Sequence, residues 1–310
     1  MVDVTLLGSG ALSPIPERLL TSVYLSCNGR AILFDCGEGT QLSLKKCFLS
    51  PMKIDLIAIT HYHGDHYFGL PGLLQSLSYY ERKDPLFITG PDGLKNAMNP
   101  VFELAGELSY TIYLLDPDID SIKLNDINSN WPPLAVIEAF PTEHRIISQG
   151  YIFKLLRNGK FIPEKALQLG VPKQYWKTLQ LGNDVLLDDK MFYSDLFLGP
   201  MRQGIKIVFS GDTSYCDSLV HAACGADLLI CDSTYGDDLD EENAVRYGHM
   251  TFSAAGKIAS VANVRRLWLS HFSHKITEPD LFLKNAQLSF PNALCGTDGL
   301  SITIPFVEDD

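Results

Sequence analysis

Three of the eight histidines in this 310-residue chain crowd into one stretch, AITHYHGDHYFGL. His61, His63 and His66 fall within six positions there, and Asp65 stands beside the third. Imidazole nitrogens and carboxylate oxygens together suit Zn²⁺, with Mn²⁺ or Fe as further candidates. In H-x-H, alternate residues of an extended segment point to the same side, so His61 and His63 can face one ion. After the tight turn at Gly64, Asp65 and His66 can face a second.

The other candidates fall in similar places. KIVFSGDTS ends a β-type run with Asp212, RRLWLSHFS ends one with His271, and LAVIEAFPTEH leads through a turn to His144. Loops at the ends of a rigid sheet are where binding residues gather. If these strand ends share one edge, seven ligands converge: His61, His63, Asp65, His66, His144, Asp212 and His271. That is too many for one tetrahedral ion. It fits two ions with one carboxylate between them, an arrangement suited to water attack at a phosphorus or carbonyl centre. A second pair is Asp232 in ICDST and His249 in YGHMT. Asp232 could orient His249 as a proton donor. Equally, His249 could cap the helix that begins near Thr251 while Asp232 binds backbone amides. His221 and His274 carry no comparable signal.

These residues need a scaffold. Short apolar runs ending in turn residues read as strands: VTLLGSG, RAILFDCGEG, IDLIAITH, PLFITGP, LAVIEAF, KIVFSGD, ADLLICDS and RRLWLSH. Helical patterns lie between them, in GLPGLLQSLSYY, YCDSLVHAACG and TFSAAGKIASVANV. The alternation indicates an α/β architecture. No linker or low-complexity tract divides the chain, so residues 1–310 read as a single domain. The exception is a loop-rich basic insertion at 154–200.

The net charge of −12 argues against broad nucleic-acid binding. Its distribution says more. Residues 151–206 hold nine basic and five acidic side chains, a local +4 against −16 elsewhere. The ending FVEDD reads as a short solvated acidic tail. Seven scattered cysteines, without a C-x-x-C pair, suit reduced thiols in the cytoplasm. No stretch approaches the ~20 apolar residues that span a bilayer, and MVDVTLLGSG does not read as a secretory signal.

Taken together, LLGSGALSP, LFDCGEGTQ, THYHGDHYFGLPGLL, PLFITGPDGL, HRIISQGY, FSGDTSYCDSLV, GADLLICDSTY and LSHFSH resemble, in order, the motifs of the ribonuclease Z family of the metallo-β-lactamase superfamily. The resemblance covers almost the whole chain. It implies an αββα sandwich of two mixed sheets with helices outside and a protruding basic arm. It implies two zinc ions, one held by His61, His63 and His144 and the other by Asp65, His66 and His271, with Asp212 between them. His249 matches the family's proton donor. Asp232 stands where the family usually has the Glu of a His-Glu-Ala-Thr motif, one methylene longer. Asp65 would orient the attacking water.

The implied activity is hydrolytic removal of the 3′ trailer from precursor tRNA, leaving a 3′-hydroxyl on the tRNA and a 5′-phosphate on the trailer. The implied partners are precursor tRNA and a second copy of the chain. Phosphates would be met by Lys160, Lys165, Lys173 and Lys177 on the arm and by Ser273 and Lys275 near the centre. The arm lacks the family's Gly-Pro, with Lys173-Gln174-Tyr175 in its place, and Lys275 stands where an Arg is common. Two other readings use the same residues: a binuclear-zinc phosphodiesterase for small diesters or other RNA, and a silent RNA-binding relative.

Overall fold

The computed structural model describes residues 1–115 and 121–307. Glu308, Asp309 and Asp310 of the expected acidic tail lie outside the described residues. Strands β1 (Val2–Gly8), β2 (Ser22–Cys27), β3 (Arg30–Phe34), β4 (Ile54–Ala58), β5 (Leu86–Thr89) and β6 (Ile112–Leu114) pair in that order. The next run is β7 (Ser121–Lys123), β8 (Ala135–Pro141) and β9 (Gln149–Arg157), followed by a hairpin of β10 (Val185–Leu187) and β11 (Lys190–Phe192). Then come β12 (Arg202–Phe209), β13 (Leu228–Asp232), β14 (Leu267–Ser270), β15 (Ala293–Cys295) and β16 (Ser301–Ile304). β16 returns to pair with β1, giving one seven-stranded sheet, and the second runs β15-β14-β13-β12-β9-β8-β7.

The two-residue period of the strands builds the layers. In β3, Ile32 and Phe34 enter a core shared with Ile137, Phe153, Ile207, Phe209 and Trp268 of the second sheet. Ala31 and Leu33 face the other way, onto the helices Leu70–Tyr79 and Leu94–Ala105. In β13, Leu228 and Ile230 join the core between the sheets, and Leu229 and Cys231 pack under the helices Asp217–Ala223 and Phe252–Val261. Apolar residues on both strand faces explain why these segments read as continuous apolar runs rather than alternating ones. The result is helix, sheet, sheet, helix, as the resemblance implied.

Strand direction places the site. β12, β13 and β14 are parallel, and β8 runs antiparallel to β9, which runs antiparallel to β12. The C-terminal ends of β8, β12, β13 and β14 therefore share one edge. Across from them, β4 ends in the first sheet, where Thr60 O accepts a bond of 3.0 Å from Gln149 N–H of the second.

The excursion from the sheet runs from Asn158 to Met201, between the adjacent strands β9 and β12. The expected boundary at 154 falls inside β9, because Lys154 pairs with Val136 and Lys206 in the ladder and its Nζ lies 2.6 Å from Glu138 Oε2. Beyond the sheet, Ala166, Val171, Leu179, Val185, Phe192 and Phe197 form a small core of their own. The backbone closes at its base, where Gly199 N–H donates to Lys160 O at 2.9 Å. Lys160, Lys165, Lys173 and Lys177 are all exposed on this unit. The cysteines are free, with Cys27, Cys36, Cys216 and Cys231 buried and Cys224 exposed. Among the described residues, no helix is long and apolar enough to cross a membrane.

Candidate metal centre

All seven expected ligands meet at the shared edge. His61 and His63 follow β4 in extended backbone, and the short helix Gly64–Tyr67 turns Asp65 and His66 inward. His144 follows β8, Asp212 follows β12, and His271 follows β14. Three groups of donor atoms result. His61, His63, His144 and Asp212 form the first, Asp65, His66 and His271 the second, and Asp212, Asp232, His249 and His271 the third. In the first, His63 Nδ1 lies 3.0 Å from His61 Nε2 and 3.1 Å from His144 Nε2. In the second, His66 Nε2 and His271 Nε2 are 3.3 Å apart, and Asp65 Oδ2 lies 3.5 Å from His271 Nε2. Asp65 Oδ2 also accepts a bond of 2.7 Å from Leu12 N–H.

Asp212 stands between the first two groups. Its Oδ1 is 3.2 Å from His271 Nε2 and 3.3 Å from His66 Nε2, and its Oδ2 is 3.6 Å from His61 Nε2. Oδ1 is buried without a hydrogen-bond donor, which is costly for a carboxylate oxygen unless a cation satisfies it. Burial alone would raise the Asp212 pKa, but His271, His66 and His61 outweigh it and hold it well below the usual range. His61, His63 and His144 are lowered, chiefly by burial, so they present neutral imidazoles. Burial opposes charge on His66 too, yet Asp212, Asp35 and Asp65 pull its pKa well up. The three carboxylates around His66 thus favour positive charge there. Nitrogen and carboxylate donors converging in this way can hold a metal ion.

The outward-facing nitrogens are also fixed, as a ligand imidazole requires. His144 Nδ1–H donates to Gly248 O at 2.8 Å. A Cβ on Gly248, whose φ is 74°, would run into His144. His61 Nδ1–H donates to Thr60 Oγ1 at 3.0 Å, and Thr60 Oγ1–H donates to Asp35 Oδ2 at 2.9 Å. Asp35 Oδ2 also accepts from His66 Nδ1–H at 2.7 Å. His271 Nδ1–H donates to Thr234 Oγ1 at 2.9 Å. Both Asp35 and His271 adopt positive φ, 54° and 62°, an uncommon conformation for non-glycine residues that concentrates at functional sites. Sequence reasoning missed Asp35 as part of the site. The rule that found Asp212, a carboxylate at the end of a strand, applies equally to Asp35 after β3.

The second pair is also assembled. His249 Nδ1–H donates to Asp232 Oδ2 at 2.8 Å, so the shorter carboxylate reaches. Asp232 accepts backbone amides as well, from Thr213 at 3.1 Å and Thr234 at 2.9 Å. The helix cap is Thr251, which accepts from Ala254 N–H, and not His249. Burial opposes charge on His249, but Asp232 and Asp212 outweigh it and raise its pKa to about 9. Ser273 and Lys275 line a cavity of about 300 Å³ with Tyr235 and Tyr247, beside Thr234. The arm lysines lie away from the centre, on the excursion. His221 and His274 are exposed and stand apart.

Two face-to-face seven-stranded sheets with a histidine–aspartate centre on one edge define a protein of the metallo-β-lactamase fold. The metallo-β-lactamase fold protein YhfI from Bacillus subtilis superposes with a TM-score of 0.69 at 19% identity, over 98% of this chain and 100% of that one. Over 313 residues, the chain is 39% identical to a ribonuclease Z of Lachnoclostridium phytofermentans, covering 100% of each. The human tRNase Z, short form, matches at 30% identity with a TM-score of 0.66, over 98% of this chain and 100% of that one. A family described as "Anti-Pycsar protein Apyc1" matches residues 2–103. The chain belongs to the ribonuclease Z family.

Proposed function

We propose that this chain is a metal-dependent endoribonuclease that removes the 3′ trailer from precursor tRNA by hydrolysis. The observation that carries the chemistry is Asp212, shared between two donor groups in a chain that aligns end to end with ribonuclease Z. His61, His63 and His144 would hold one Zn²⁺, and Asp65, His66 and His271 the other, with Asp212 serving both. When bound, such ions supply Lewis-acid stabilisation of charge on the phosphoryl oxygens and a low pKa for water.

The chain's own residues do the rest. Asp65 orients the attacking water and accepts its proton as the new P–O bond forms. His249 Nε2–H protonates the ribose 3′-oxygen as the old P–O bond breaks, and Asp232 holds the opposite ring nitrogen. The tRNA then carries a 3′-hydroxyl and the trailer a 5′-phosphate.

Lys160, Lys165, Lys173 and Lys177 would meet phosphates and position the tRNA without reading its bases, with Ser273 and Lys275 nearer the cut. The arm leaves at the start of β12, whereas the centre lies past its end. The eight residues of β12 amount to roughly 25 Å of extended chain. An arm rooted so far from its own centre supports a homodimer in which it serves the other copy. Free cysteines suit the cytoplasm. Incubation with a 3′-extended tRNA precursor and sequencing of both product ends tests the reading. A 3′-hydroxyl at the acceptor end and a 5′-phosphate on the trailer are expected; an intact precursor alongside a hydrolysed small diester would replace it with a general phosphodiesterase.

A further inference from the structure

Two buried threonines stand in matching positions around the centre. Thr60 Oγ1 sits between His61 Nδ1, at 3.0 Å, and Asp35 Oδ2, at 2.9 Å. Thr234 Oγ1 sits between His271 Nδ1, at 2.9 Å, and Asp232 Oδ1, at 2.8 Å. Each carboxylate takes one further imidazole: Asp35 accepts from His66 and Asp232 from His249.

The direction of every bond is fixed by donor supply. A ligand imidazole with its Nε2 lone pair facing the centre carries its proton on Nδ1, so that nitrogen donates to the threonine oxygen. The single hydroxyl proton must then go to the carboxylate. The relay through Thr60 joins two ligand histidines, one from each of the first two donor groups. The relay through Thr234 joins a ligand, His271, to the proton donor, His249.

We propose that Thr60 and Thr234 are positioning residues with different duties. Thr60 locks the first two donor groups to each other through Asp35. Thr234 locks the metal centre to the proton donor, and it does so by filling an acceptor site that Asp232 would otherwise leave open. Asp232 Oδ1 accepts the Thr234 amide and hydroxyl, and Oδ2 accepts the Thr213 amide and His249. With four donors the carboxylate cannot turn, and His249 keeps Nε2 toward the cleft. Removing the Thr234 hydroxyl leaves His271 Nδ1–H and Asp232 Oδ1 short of a partner at once, which loosens both. The idea rests on the two-metal reading above, but not on tRNA being the substrate.

The test compares Thr60→Val, Thr234→Val and Thr234→Ser. The first two replace the hydroxyl by a methyl of similar size, and the third keeps it. Zinc affinity is read by competition with a chelator. Activity at saturating zinc is read on two small diesters. One has a nitrophenolate leaving group, which needs no proton. The other is a short oligoribonucleotide, whose ribose 3′-oxygen does.

Both valine variants should bind zinc 10- to 100-fold more weakly. At saturating zinc, Thr60→Val should recover on both diesters to within about twofold. Thr234→Val should recover on the nitrophenyl ester only and remain at least tenfold slow on the oligoribonucleotide. Thr234→Ser should restore affinity and both rates to within about threefold. Unchanged zinc affinity in the valine variants, a serine variant as impaired as valine, or the same substrate split in Thr60→Val would overturn the proposal. Wild-type inactivity on precursor tRNA would remove the tRNA reading and leave these comparisons intact.

Discussion

Asp35 Oδ2 lies 2.7 Å from His66 Nδ1, in a fully buried pair. The carboxylate also accepts Thr60 N–H at 2.8 Å, so it ties the end of β3 to the loop that carries the histidine cluster. Asp35→Ala is expected to weaken zinc binding 10- to 100-fold. It should also lower the melting temperature, because the Thr60 amide and His66 lose a buried acceptor. Chelator competition and thermal unfolding measure the two effects. Wild-type zinc affinity in the variant would exclude a positioning role for Asp35.

His249→Ala should slow precursor cleavage 10²- to 10⁴-fold while leaving metal content unchanged. Its Nδ1 lies 3.9 Å from Asp212 Oδ2, and its ring packs beside those of His144 and His271, with centroids 5.0 and 5.3 Å away. Elemental analysis beside single-turnover rates separates the roles. Loss of metal in parallel with activity would make His249 a ligand rather than a proton donor.

The pH dependence follows from the same residue. A proton donor works below its pKa and fails as pH rises through it. The Asp232 carboxylate raises the His249 pKa to about 9 against burial. Removing that charge in Asp232→Asn lowers the pKa, so the alkaline limb of kcat should move to lower pH. An alkaline limb that stays in place or moves up contradicts the assignment.

The arm can be excised without opening the sheet, because Gly199 N–H already bonds Lys160 O at its base. Replacing residues 161–198 by a short glycine linker should weaken precursor binding and flatten its salt dependence. Each lost phosphate contact should remove roughly 0.7–0.9 from the slope of log K against log salt. Hydrolysis of a small nitrophenyl diester should be unchanged. Equal loss on both substrates would mean that the excursion supports the fold rather than the RNA.

Native alkylation should label Cys224 first, since it is exposed, and spare Cys36 and Cys231. Burial pushes the thiol pKa of Cys36 up to about 12 and that of Cys231 well above its ordinary value. Mass spectrometry of partially labelled protein reads the order. Early labelling of Cys231 would mean that β13 is open to solvent.

The site was largely legible in the sequence because its ligands sit where strands stop, and buried strands announce themselves as apolar runs. β4, β8, β12, β13 and β14 were each visible in this way, and each delivers a residue to the centre. β2 (SVYLSC) passed unnoticed because its apolar residues are interrupted by serines. The three- and four-residue strands β7, β15 and β16 exist only through pairing, which local sequence does not encode. The arm's start was placed too early because Lys154 and Arg157 read as surface charge although they belong to β9. Asp35 and the two threonines were missed for a related reason. They bind other residues rather than the metal, and such partners are set by the meeting of β3 with β4 and of β13 with β14.

The central claim is one carboxylate serving two ions, and the metal count per chain tests it most directly. Native mass spectrometry of zinc-saturated protein should find two zinc ions per chain, and Asp212→Ala should lose both or retain one weakly held ion. A wild-type chain that saturates at one ion, or an Asp212→Ala variant that still holds two with unchanged affinity, would contradict the account.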